Sequence, residues 1–189
     1  MIPPNLKPDG SEFNDASLHD AGLPTLILMR HAAREFTADR LSTNGLAQAS
    51  RLSALLSEAL GEMKHAMPEK LHCSPKKRTQ ATLGPLSLEH GSKIVIDDRL
   101  DEQKQGEPID VFEDRVKEFS DECLTWASKP ADKRGEHVRL ACSHLDWLET
   151  TVLFLPSDEN DLERSEPWLP MAIRVYVFHD GIWKRKKAL

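Results

Sequence analysis

Apolar residues fall along this chain in two alternating rhythms, short unbroken runs and longer stretches spaced at three and four. The first run, Leu26-Ile27-Leu28-Met29, has no polar break. A strand of this kind is one covered on both faces, and it is predicted over residues 25–29. Thr43 is placed to cap a helix over about residues 44–60, with Leu46, Ala49, Leu52, Leu56 and Leu60 on one face and Gly61 as its stop. Residues 71–73 form a short strand ending at Ser74-Pro75. A helix follows from Lys76, limited by Pro85. Residues 94–96 make a third strand. Ile109, Phe112, Val116, Phe119, Cys123 and Trp126 recur at helical spacing, which predicts an amphipathic helix over 110–128 with Pro130 just beyond it. A strand over 138–142 and an apolar helix over 145–155 precede an acidic, proline-containing loop over 157–170. Runs at 173–178 and 182–186 flank Asp180-Gly181, the dipeptide of a tight hairpin turn. Strands separated by helices imply an α/β fold, a three-layer α/β/α arrangement around a mostly parallel central sheet.

Length and composition narrow the class. The 189 residues suffice for one domain with a real core, expected over 23–189 behind a loosely ordered N-terminal arm over 1–22. That arm has prolines, acids and no apolar stretch, so it does not read as a secretory signal. No apolar run approaches bilayer length. The formal net charge of -6 argues against nucleic acid or an anionic membrane as partner, so any anion site must be a local cluster of positive charge. The basic run Lys184-Arg185-Lys186-Lys187 reads as a solvated strand end. Cys73, Cys123 and Cys142 have no zinc or CxxC spacing and read as buried thiols of a cytoplasmic protein.

The candidate chemistry begins where the first strand stops, at Arg30-His31. In open α/β sheets ligands bind beyond the carboxyl ends of the strands. A guanidinium offers a fixed fork for phosphate oxygens, and a neutral imidazole offers a nucleophilic nitrogen. Together they point to phosphoryl transfer. Three more strand ends carry polar groups of the same kind. In Ser74-Pro75-Lys76-Lys77-Arg78 the arginine falls one turn into the next helix, from which its side chain can return to the strand end. The others are Leu100-Asp101-Glu102, running on to Gly106-Glu107, and Ser143-His144.

These four segments, in this order, resemble the histidine phosphatase superfamily, the phosphoglycerate-mutase-like enzymes, over roughly residues 24 to 180. Leu41-Ser42-Thr43-Asn44-Gly45 is similar to the entry of that family's first helix. The resemblance implies a two-step phosphatase. His31 would attack phosphorus and carry it as phosphohistidine. Arg30, Arg78 and His144, the last as an imidazolium, would hold the charge on the phosphoryl oxygens. Glu102, its pKa raised, would protonate the leaving oxygen and then deprotonate the attacking water. Asp146 is the alternative acid, and Arg34, Asn44 and Asp146 are candidate substrate contacts. The implied partners are a phosphorylated small molecule or a phosphoprotein, with inorganic phosphate as product and no cofactor or metal.

The chain departs from the family's pattern at Ala32, at Ala33, where many relatives carry glutamate, and at Leu145-Asp146, where a glycine pair is common. Ala32 stands where glycine is usual after the nucleophile, which costs on the order of 1 kcal/mol if φ is positive there. Leu145 follows His144 where glycine is common and can reshape the pocket. The chain lacks a strongly basic insertion for a second phosphate, so hydrolysis is expected rather than mutase activity. Two alternatives remain at this level. One is a phosphohistidine or other phosphoprotein phosphatase, for which the acidic 157–170 loop could meet a basic protein surface. The other is a catalytically weak phosphate-binding member.

Overall fold

A computed structural model describes residues 22–188. The arm expected over 1–22 lies outside the described residues except for Gly22. The elements run β1 (Thr25–Arg30), α1 (Thr43–Ala49), α2 (Leu52–Glu62), β2 (Lys70–Cys73), α3 (Lys77–His90), β3 (Lys93–Ile96), α4 (Ile109–Ala127), the single turn α5 (Ala131–Arg134), β4 (Val138–Ser143), α6 (Leu145–Phe154), the single turn α7 (Asp161–Arg164), β5 (Ile173–His179) and β6 (Ile182–Ala188). The strands form one sheet in the order β3-β2-β4-β1-β5-β6. β1, β2, β3 and β4 pair in parallel, and β5 and β6 close one edge antiparallel. Among the described residues no helix is long and apolar enough to cross a membrane.

The unbroken apolar run of β1 divides between two cores. Ile27 and Met29 pack with Leu52, Leu56 and Leu60 of α2 and Leu83 and Leu86 of α3. Leu26 and Leu28 face the other way, toward Phe112, Val116, Phe119 and Cys123 of α4 and Trp147 and Leu148 of α6. Successive strand side chains point to opposite faces, so a strand between two helical layers needs every position apolar. The expected three layers are present.

Several boundaries differ from the sequence expectation. The helix predicted over 44–60 is two helices. The Ser50 hydroxyl donates to the Ala47 carbonyl at 2.9 Å and Arg51 N to the Gln48 carbonyl at 3.1 Å, a tight turn that ends α1. The break leaves Leu46 exposed, although Leu52, Leu56 and Leu60 are buried. The cap is Ser42, not Thr43, its Oγ accepting from Gly45 N at 3.1 Å. Gly61 lies inside α2 rather than ending it. Pro85 does not limit α3. The carbonyl it leaves without a donor belongs to Ala81, which is exposed and open to water, and the helix runs on to Gly91 in the left-handed region at φ 68°. The 157–170 loop holds α7, and two of its acidic residues are paired with the last two strands. Glu159 is buried and accepts from Arg174, Arg185 and Tyr176, while Glu166 pairs with Arg185. Arg185 is therefore a paired residue of β6 rather than a solvated strand end.

Candidate active site

The carboxyl ends of β1, β2 and β4 lie side by side, with Arg30 paired to Ser143 and Cys73 to Cys142. The residues that follow these strands meet in one cavity of about 290 Å³, lined by Arg30, His31, Arg34, Arg78, Glu102, His144 and Asp146 among others. His31, only 4% exposed, is fixed through both backbone and ring. Its amide donates to the Ser143 carbonyl at 3.0 Å, and its Nδ1 lies 2.7 Å from the Ala32 carbonyl. A carbonyl only accepts, so Nδ1 carries the proton and Nε2 keeps a lone pair. That nitrogen meets Arg78 Nε at 3.3 Å. Burial first, then the charges of Arg78 and Arg30, pull the His31 pKa down to about 4, against the hydrogen bond to Ala32. The ring is neutral at ordinary pH.

Arg78, 3% exposed, is the hub of the site. Its Nη1 donates to Asp39 Oδ1 at 2.8 Å, and its Nη2 reaches Glu102 Oε2 at 2.5 Å and His144 Nδ1 at 3.1 Å. Arginine has no acceptor, so His144 Nδ1 accepts and its Nε2–H donates to Ser74 Oγ at 2.7 Å. Burial, with the charges of Arg78 and His31, lowers the His144 pKa to about 2. His144 is thus neutral, not the imidazolium expected from the sequence, and its ring stands edge-on to His31 with centroids 5.2 Å apart.

Glu102 also differs from expectation. Burial pushes its pKa up, but the hydrogen bond from Arg78 and the charges of Arg78 and Lys76 outweigh it, and the carboxyl is held below its ordinary value. Lys76 Nζ lies 3.5 Å from Glu102 Oε1. Arg30 hydrogen-bonds through Nη1 to the Trp168 carbonyl at 2.6 Å, while its buried Nε has no hydrogen-bond partner among the described residues. Asp146 accepts from Gln103 N at 2.7 Å, tying the Glu102 loop to α6. Arg34 is exposed on the cavity rim. Asn44 is exposed in the first turn of α1 and does not line the cavity.

The departures from the family pattern are accommodated. Ala32 is absent from the residues with positive φ, so no glycine is required there. It is buried and its amide donates to Thr82 Oγ1 at 3.0 Å. Leu145 lies on the cavity wall, 37% exposed.

Three supporting residues escaped the sequence reading. Asp39 caps α3 from a distant loop, accepting from Lys77 N at 2.9 Å and Arg78 N at 3.4 Å. Arg115 holds the Glu102 loop, donating to the carbonyls of Arg99, Asp101 and Glu102 at 3.0, 2.6 and 2.8 Å. It also grips Glu107 at 2.9 and 3.0 Å, which draws that carboxyl down to about 2. The signal for Arg115 was its position beside Val116, at the edge of the buried stripe of α4. Trp168 contributes only a carbonyl, for which a sequence offers no signal.

Comparison with known proteins agrees with this architecture. No curated protein is a sequence match. Solved structures with the same fold include the protein histidine phosphatase SixA bound to tungstate, 18% identical, covering 87% of this chain and 96% of its own at a TM-score of 0.57. A phosphoserine phosphatase from Entamoeba histolytica is 15% identical, over 88% and 96%, with a TM-score of 0.62. A mycobacterial glucosyl-3-phosphoglycerate phosphatase is 16% identical, over 86% and 97%, with a TM-score of 0.64. The family model that describes branch 1 of the histidine phosphatase superfamily matches residues 26–145, well over half of the chain, and the chain belongs to that superfamily.

Proposed function

We propose that this protein is a phosphomonoesterase that hydrolyses its substrate through a phosphohistidine on His31. The observation that carries the reading is the His31 ring: Nδ1–H held by the Ala32 carbonyl, Nε2 unprotonated and beside Arg78. In the first step the Nε2 lone pair forms a bond to phosphorus as the bond to the leaving oxygen breaks. Glu102 gives its proton to that oxygen. In the second step water attacks phosphorus, the N–P bond breaks, and the proton of the water passes to Glu102. Arg30 and Arg78 stabilise charge on the phosphoryl oxygens throughout, aided by the Nε of Arg30, which has no other partner among the described residues.

With no phosphate competing for Arg78, the hydrogen bond and charge of Arg78 keep Glu102 ionised. A phosphate dianion competes for Arg78 and raises the carboxyl's proton affinity, so the acid is armed by the substrate. His144, neutral, receives Arg78 on one nitrogen and keeps the cradle in register rather than adding positive charge. Asp146 and Glu149 on the wall oppose a second phosphate, which favours hydrolysis over mutase chemistry.

The test is turnover of p-nitrophenyl phosphate with chelator present. Activity is expected to survive chelation and to fall by at least about 10³ in His31→Ala. Rapid quenching after brief incubation with labelled substrate should trap an acid-labile phosphate on His31. Phosphate binding without turnover, or full activity in His31→Ala, defeats the reading.

A further inference from the structure

The structural neighbours act on quite different leaving groups, so the fold does not choose among them. The charges of the cavity do. Three guanidiniums, of Arg30, Arg34 and Arg78, and three carboxylates, of Glu102, Asp146 and Glu149, line it. Lys76 and Asp101 behind the cavity pair with each other, and Asp39 adds a further negative charge behind Arg78. Asp146 and Glu149 stand at i and i+3 on α6 and so share one face of that helix. Gln103 N uses one oxygen of Asp146. Glu149 is exposed and has no hydrogen-bond or ion-pair partner among the described residues. Glu149 lines the same cavity as Arg30, and its charge acts on that guanidinium.

A bound phosphate dianion would set the three guanidiniums against five negative charges. Protonation of Glu102 still leaves one negative charge in excess. A leaving group that carries a carboxylate or a second phosphate increases the excess, and one that carries an ammonium cancels it. We infer that the natural substrate is a phosphomonoester of an amine-bearing alcohol, its ammonium held against Glu149 and Asp146 while its phosphoryl group meets His31. The inference rests on the phosphatase reading and makes Glu149 a specificity-determining residue.

The experiment compares kcat/KM at low ionic strength, near pH 6, within two substrate pairs. O-phosphoserine and its N-acetyl derivative differ in the ammonium charge, and phosphoethanolamine and glycerol 3-phosphate provide a second contrast. The charged amine is expected to win by about fivefold or more in each pair, the scale of one partly screened ion pair. Glu149→Gln should shrink that ratio and Glu149→Lys should invert it, at an exposed helix position where neither threatens the fold. Ratios near one in the wild type, or ratios unchanged by Glu149→Gln while p-nitrophenyl phosphate is still turned over, overturn the inference and leave the phosphatase reading standing. Loss of all turnover in the wild type, p-nitrophenyl phosphate included, overturns both.

Discussion

The proposed reaction puts opposite demands on the two ring nitrogens of His31: one must keep a proton to hold the ring, the other must lack one to attack. The Ala32 carbonyl and Arg78 Nε divide those tasks, and burial keeps the ring neutral down to about pH 4. A pH profile follows. On the acid side kcat/KM should fall only toward pH 4, not at the ordinary imidazole value near 6.5. On the alkaline side the proton needed by the leaving oxygen must come from Glu102 or with the substrate monoanion, whose second ionisation lies near about 6. The profile should therefore peak between about 4 and 6 for an alkyl phosphate, and a peak at pH 8 would contradict the assignment. Stability moves the other way. The folded pKa values of His31 and His144, about 4 and about 2, lie below the unfolded value of 6.5, so the unfolded chain binds protons first. The stability they contribute is whole above about pH 6.5 and is lost as pH falls through 6.5 toward those values, which denaturant titrations at pH 7 and pH 5 would read. At this scale the sequence disclosed which groups meet in the cavity, because Arg30, His31, Arg78 and His144 each follow a recognisable strand end. It did not disclose their protonation. That depends on burial and on who touches whom: burial, with the charge of Arg78, keeps His144 neutral, and the hydrogen bond from Arg78 outweighs burial at Glu102.

The elements carry the site by latching onto each other's ends. Ser42 and Gln48 of the α1 region hold the loop after His31: Ser42 N donates to the Ala33 carbonyl at 2.9 Å, and Gln48 Oε1 accepts from Ala33 N at 2.8 Å. Gly45 lets this happen, since a Cβ there would lie 1.9 Å from the Ala33 oxygen. Glycine to alanine inside a helix ordinarily gains about 1 kcal/mol. Here Gly45→Ala should instead cost about 1–3 kcal/mol by overpacking and lower kcat/KM, because the backbone that must yield is two residues from His31. A melting temperature that rises with full activity retained would refute it. Arg115 plays the matching part for the Glu102 loop. Arg115→Met should slow alkyl phosphates by up to about 10², while p-nitrophenyl phosphate, whose leaving group needs little acid help, changes far less. Equal losses for both substrates would place the effect elsewhere than on Glu102. The strands and the long helix α4 were legible because their apolar periods are clean. The break between α1 and α2 was not, since Leu46 keeps the helical rhythm while a serine hydroxyl competes for the backbone. Pro85 misled for a related reason: its penalty is small where the orphaned carbonyl can reach water.

At the scale of the whole molecule, the parallel core of the sheet brings the cavity residues together and the antiparallel edge steadies one of them. β5 and β6 carry Arg174, Tyr176 and Arg185 to a shared partner, the fully buried carboxylate of Glu159. Arg174 also lies over the Trp168 ring at 4.1 Å and donates to the Glu166 carbonyl at 2.6 Å. The segment so anchored presents the Trp168 carbonyl to Arg30. Chain positions 159, 174 and 185 thus bear on position 30 through the fold, a dependence that no local pattern encodes. The acidic loop and the basic tail look like unrelated features in the sequence because each is read without the other. Breaking a buried ion pair by neutralising one partner costs about 3 kcal/mol. Glu159→Gln should therefore lower Tm by roughly 10 °C in a chain of this size. It should also act on binding: with the Trp168 carbonyl displaced, Arg30 loses its seat, and KM for a phosphomonoester should rise more than kcat falls when both are measured well below the new Tm. Arg174→Lys, which keeps the charge but loses the planar fork, should give a weaker form of the same split. If Glu159→Gln melts early but leaves KM and kcat unchanged at low temperature, the cluster is a structural staple alone and Arg30 is held by the sheet without it.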